Sequence, residues 1–108
     1  MVLHHVLFTV SSLSEARKFY LAALAPLGFK EFHFVEDTIV GLSGPNGVPD
    51  LWLDPVKPGG PKDSPTKGFH IAFLAESREV VDKFHEAALY VCRLGSFFRM
   101  IDYKVHYL

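Results

Sequence analysis

The segment HVLFTVSSLSEARKFYLAAL, residues 5–24, returns without a gap sixty-five positions later as HIAFLAESREVVDKFHEAAL, residues 70–89, with eight of twenty positions identical. The identities are His5/His70, Phe8/Phe73, Ser12/Ser77, Lys18/Lys83, Phe19/Phe84, Ala22/Ala87, Ala23/Ala88 and Leu24/Leu89, with Val6/Ile71 alike in kind. A period of this length is too long for a solenoid and fits a domain made of two copies of one supersecondary unit. In each copy a short alternating apolar run gives way at a serine to apolar residues at helical spacing, so the repeated unit reads as a strand followed by a helix.

Along the first copy, Leu3 to Val10 alternate, with Leu3, His5, Leu7 and Thr9 on one face and His4, Val6, Phe8 and Val10 on the other. Ser12 with Glu15 forms a capping-box pattern, and Ala16, Phe19, Tyr20, Ala23, Leu24 and Leu27 make one apolar helix stripe that Pro26 and Gly28 end. That stripe is expected to cover Val6, Phe8 and Val10, leaving His5, Leu7 and Thr9 to look into whatever the sheet encloses. Three further strands are expected at Phe29–Val35, Thr38–Leu42 and Pro49–Asp54, separated by turn residues, so the first unit, residues 1–54, reads β-α-β-β-β.

Residues 55–68, PVKPGGPKDSPTKG, carry four prolines and three glycines and read as an exposed linker. The second unit, residues 69–108, opens with an expected strand at Phe69–Ala75, with His70, Ala72 and Leu74 on one face and Phe69, Ile71 and Phe73 on the other. Ser77 then caps a helix buried through Val80, Val81, Phe84, Ala87 and Ala88. Leu94-Gly95 corresponds to Leu27-Gly28, after which there is room for one long strand or two very short ones. The second unit is therefore expected to be incomplete, with an open edge that invites a homodimer, strand exchange or aggregation.

Composition narrows the partners. At 108 residues the chain is one domain, and 49% hydrophobic with 14% aromatic residues excludes a disordered chain. Eleven basic against twelve acidic side chains, with no block of one sign, lack the footprint of nucleic-acid binding. The apolar N-terminus has no basic n-region and runs directly into a charged helix, so no membrane span or signal peptide is expected. With Cys92 as the single cysteine, no internal disulfide forms and a cytoplasmic location is expected. Cys92 has no evident activating base and reads as an inert thiol.

Two β-α-β-β-β units, with H-V-x-x-x-V opening the first, PDLWLDP closing its last strand and G-F-H-I-A-F opening the second, resemble the vicinal oxygen chelate superfamily, the group of glyoxalase I, the bleomycin resistance proteins and the extradiol dioxygenases. The resemblance covers residues 2–90 and is carried above all by HVLFTVSSLSEARKFYLAALAPLGF. It implies an α+β fold of paired βαβββ modules curled into an open barrel, here a C-terminally shortened member. It also implies a divalent metal ion, Zn, Ni, Mn or Fe, held by His5 and His70 from the two first strands, with Asp50 near the last-strand ligand of the first unit. The family's fourth ligand, a glutamate near the end of the second unit, has no counterpart, because no glutamate follows Glu86.

Each candidate has a plainer reading. His5 and His70 either face one another as ligands or are sheet histidines retained with the fold. Asp50 is either a ligand or a strand residue beside the Gly47-Val48-Pro49 turn, and Asp54 competes with it. His33 shares an expected face with Glu31 and Val35 and reads as a cross-strand surface residue. His4 is expected to point away from the His5 face, His85 to be solvated, and His106 supports no role. Trp52 and Phe32 either stack on a flat ligand or pack. No G-x-S-x-G, phosphate loop or CxxC is present.

Three functions remain open. One is a glyoxalase-like, metal-dependent lyase or isomerase acting on a small molecule with vicinal oxygens, its general base unassigned. Another is a metal-free module that binds an aromatic or hydrophobic small molecule. The last is an inactive shortened paralogue or splice product.

Overall fold

The computed structural model describes residues 3–94. Its elements run β1 (Val6–Val10), α1 (Leu13–Leu24), a 3-10 turn (Ala25–Leu27), β2 (Lys30–Val35), β3 (Ile39–Ser43), β4 (Leu51–Pro55) and α2 (Arg78–Leu94). The four strands form one sheet in the order β1-β4-β3-β2, with β1 parallel to β4 and the other pairs antiparallel. This is the expected α+β architecture, with a complete first β-α-β-β-β unit and the helix of the second.

Local chemistry explains the boundaries. Ser12 is extended at the N-cap of α1 and its Oγ accepts the Glu15 N–H at 3.3 Å. Gly28 takes a left-handed φ of 87° and donates its N–H to the Ala25 carbonyl, which closes the helix and turns the chain into β2. Leu13, Ala16, Phe19, Ala23 and Leu24 of α1 are buried, and they pack with Phe8, Val10, Val40, Leu42, Leu51 and Leu53 from one face of the sheet. On α2, Ser77 Oγ accepts the Val80 N–H, Val81 and Ala88 are buried, and Ala88 belongs to the same core as α1.

The opposite sheet face is open. Leu7 and Val35 are each 43% exposed and Phe32 is 55% exposed. Trp52 lies on this face over Gly41, where a Cβ would come within 2.5 Å of its ring, and its Nε1 donates to the Pro49 carbonyl at 2.8 Å.

Four expectations are corrected. First, Phe69–Ala75 is not a strand. Its burial alternates as the sequence implies, with Ile71 and Phe73 half-buried while His70, Ala72 and Leu74 are exposed. A strand also needs a neighbour for its backbone groups, and among the described residues no ladder includes this segment. Second, His33 does not share a face with Glu31. The register slips between them, so that Glu31 opposes Leu42 while His33 opposes Gly41. The extra residue, Phe32, inverts the alternation. Glu31 therefore reaches Arg17 of α1, whose guanidinium also lies 4.0 Å over Phe34, while Phe32 and His33 turn toward Trp52.

Third, residues 55–68 are largely exposed, as the linker reading expects, but they are also fastened to the sheet as a strap. Val56 N–H bonds the Val10 carbonyl, Lys57 N–H the Lys62 carbonyl, and Thr66 N–H the Thr9 carbonyl. Fourth, His4 does not point away from His5. β1 begins only at Val6, so strand alternation does not apply to residues 4 and 5, and their Nδ1 atoms meet at 2.9 Å. The counterpart of Leu27-Gly28, the expected tail strands, the Cys92 thiol and His106 lie outside the described residues. Among the described residues, no helix is long and apolar enough to cross a membrane.

Candidate functional site

Among the described residues, β1 is an edge strand of the sheet and forms a ladder with β4 alone. Because the side chains of a strand alternate, Val6 and Phe8 turn their side chains toward the helices, while Leu7 and Thr9 belong to the other set. Just before the ladder begins, the Val6 N–H bonds the Asp50 carbonyl at 2.9 Å, which draws Asp50 up beside the entry to β1. The segment after the strap, which joins no ladder among the described residues, runs past the side of β1 opposite β4. Phe69 packs on Phe8 with ring centroids 4.8 Å apart, and Phe73 packs edge-on to Phe29 at 5.5 Å.

Between β1 and this segment lies a cavity of about 600 Å³. Its apolar walls come from Leu3, Phe8, Phe29, Phe69, Ile71 and Phe73, and its polar groups from His4, His5, Asp50, Thr66 and His70. The three residues named as candidate ligands thus line one hollow, even though they come from sequence positions 5, 50 and 70. Among the described residues, no group of three or more His, Cys, Asp or Glu side chains is placed so that it could hold a metal ion. The donor set as arranged does not fit a three-ligand centre.

Asp50 carries the sharpest chemical signal. Its Oδ1 is buried and meets no hydrogen-bond donor among the described residues. A buried acceptor left unmet costs about 1–3 kcal/mol, so such an atom normally faces a ligand, a water or an ion. His5 is constrained differently. An Nδ1···Nδ1 contact with His4 requires one ring to offer a lone pair and the other a proton, which leaves the Nε2 of His5 as its remaining polar atom. Asp54, the competing carboxylate, is fully engaged. It is buried, accepts from Thr9 Oγ1 at 2.7 Å, and pairs with Lys62 Nζ at 2.5 Å.

Trp52 and Phe32, weighed as ligand-stacking residues, lie on the open sheet face, 6.2 Å apart edge to face, and neither lines the cavity. His33 stands beside the same indole, and His85 is exposed on α2. The aromatic wall residues were not singled out individually from sequence, although the Phe69, Ile71, Phe73 alternation carried their signal. Thr66 had none, because its place depends on a contact with Thr9 fifty-seven residues away.

With the geometry in place, comparison with known proteins adds the following. A family model described as the Glyoxalase/Bleomycin resistance protein/Dioxygenase superfamily matches residues 2–89. Among solved structures, the chain is similar to a possible glyoxalase from Bacillus cereus, with a TM-score of 0.59 and 24% identity over 80% of this chain and 70% of that one. At this identity the likeness concerns the fold. Comparison with curated proteins gives no match.

Proposed function

Because the chain belongs to the glyoxalase/bleomycin resistance protein/dioxygenase superfamily, we propose that it is a small-molecule-binding domain whose ligand occupies the cavity beside β1. The observation that carries this reading is an aromatic-walled hollow whose lining includes Asp50, a carboxylate whose Oδ1 is buried with no donor among the described residues. Apolar walls with a few convergent polar groups are the usual makeup of a ligand site. The rings of Phe8, Phe69, Phe29 and Phe73 suit a flat or aromatic body, and Asp50 suits a hydrogen-bond donor or a positive charge on it. A protonated arylalkylamine meets both requirements. An aromatic carboxylate of the same size meets only the first.

The direct experiment is titration with 2-phenylethylamine and 3-phenylpropionate in the presence of a chelator, followed by calorimetry. The amine is expected to bind more tightly, and the preference is expected to disappear in Asp50→Asn. Equal or absent binding of the two would overturn the reading.

A second reading, a divalent-ion-dependent lyase or isomerase, comes from the family resemblance; His5, His70 and Asp50 line one hollow but are not arranged as a three-ligand centre. Its measurement is metal content by elemental analysis of untagged protein against a His5→Ala, His70→Ala double variant. Equal content in the two would remove it.

A further inference from the structure

The cavity wall at Phe69–Phe73 is not part of the sheet, so something other than a strand ladder must hold it at the edge of β1. We infer that Lys62 and Thr66 are positioning residues of the cavity: they fasten the strap to Asp54 and Thr9, and so fix the wall that follows. This rests on the reading of the cavity as the ligand site.

The fastening has two points. At the first, Asp54 is only 5% exposed, and each of its oxygens has one partner, Oδ1 the Thr9 hydroxyl and Oδ2 the Lys62 ammonium. A buried carboxylate needs its counter-charge, and the strap delivers that charge from its middle. At the second, Thr66 joins Thr9 twice, its N–H donating to the Thr9 carbonyl and its Oγ1 accepting the Thr9 N–H, both at 2.9 Å. Thr9 is thus held by its hydroxyl, its N–H and its carbonyl. Thr66 itself lines the cavity, and only two residues, Lys67 and Gly68, separate it from Phe69, whose ring packs on Phe8. The wall therefore leaves the sheet edge from a point fixed by Asp54 and Thr9. None of the four residues is needed to touch a ligand for this effect, and Lys62 lies outside the cavity.

The test compares Lys62→Met with Lys62→Arg, because Lys62 is half-exposed and lies outside the helix-covered core. Native-state chymotrypsin cleavage after Phe69 and Phe73 reads the wall, and 2-phenylethylamine affinity reads the site. Lys62→Met is expected to be cleaved about tenfold faster and to bind the amine severalfold more weakly; because Asp54 then lacks its counter-charge the thermal midpoint falls as well, so both readouts are taken well below it. Lys62→Arg is expected to restore both, since the guanidinium can still pair with Asp54. Thr66→Val, which removes the Oγ1 acceptor, should shift both readouts in the same direction, and Thr66→Ser should not.

Unchanged cleavage in Lys62→Met would overturn the inference, as would faster cleavage with unaltered amine affinity. If the wild type binds no amine, the ligand-site reading fails, and the cleavage comparison alone decides whether the strap holds the wall.

Discussion

At the scale of single residues, the contact most sensitive to a small change is that of Trp52 with Gly41. The indole lies flat where Gly41 has no side chain, and an added methyl would fall within 2.5–2.7 Å of three ring carbons. The ring would have to leave its place, and with it the Nε1 bond to the Pro49 carbonyl. Gly41→Ala is therefore expected to destabilise the fold by about 1–3 kcal/mol, the usual range for overpacking. Because Trp52 is the single tryptophan, its fluorescence should shift to the red in the folded variant, and urea titration of that signal measures both effects. Unchanged emission and stability would mean that the ring is not pinned at Gly41. The same contact shows what a sequence hides. His5, His70 and Asp50 were legible as a set because two occupy matched repeat positions and the third stands at the start of the first unit's last strand, and all three line one cavity. The face of His33 was not legible, because the bulge at Phe32 depends on how β2 pairs with β3 rather than on anything in β2 alone.

At the scale of elements, α1 was readable nearly residue by residue because its determinants are local: a serine cap, apolar spacing and a left-handed glycine. Phe69–Ala75 was readable only as a pattern. Its alternation is real, yet whether alternation becomes a strand depends on a neighbour that the segment does not itself encode. The packing of α1 on β1 carries a pH signature. Tyr20 sits edge-on to Phe8 and Phe19, with centroids 5.8 and 5.0 Å away, and burial pushes its phenol up from 10.0 to about 12. The folded chain then holds this proton more firmly than the unfolded chain does. The associated stability, about 3 kcal/mol, is fully present below pH 10 and is lost as pH rises toward 12. Tyr20→Phe has no proton to lose, so its stability should fall less steeply over that interval. Parallel slopes in urea titrations from pH 9 to 12 would assign the alkaline loss to other groups.

At the scale of the whole molecule, the question is whether the second helix is an appendage or part of one cooperative unit. The loose connection through residues 69–75 argues for an appendage, whereas the core argues against it. Ala88 of α2 is completely buried in the cluster that includes Phe8, Phe19, Leu24 and Leu53, and Phe84 and Val91 pack against the same cluster. A small residue at a close helix crossing leaves no room for a larger one, so Ala88→Leu must separate α2 from α1 or shift both. If the molecule folds as one unit, this change will destabilise β4 as much as α2. Far-ultraviolet circular dichroism, dominated by the helices, and Trp52 fluorescence, reporting β4, will then move together to a lower urea midpoint, by about 1–3 kcal/mol. If α2 is instead an appendage, the dichroism will fall first while the Trp52 transition keeps its wild-type midpoint. The repeated Ala87-Ala88-Leu89 and Ala22-Ala23-Leu24 favour the first outcome. Ala23 and Ala88 are matched positions of the two copies, and both are fully buried in the one core.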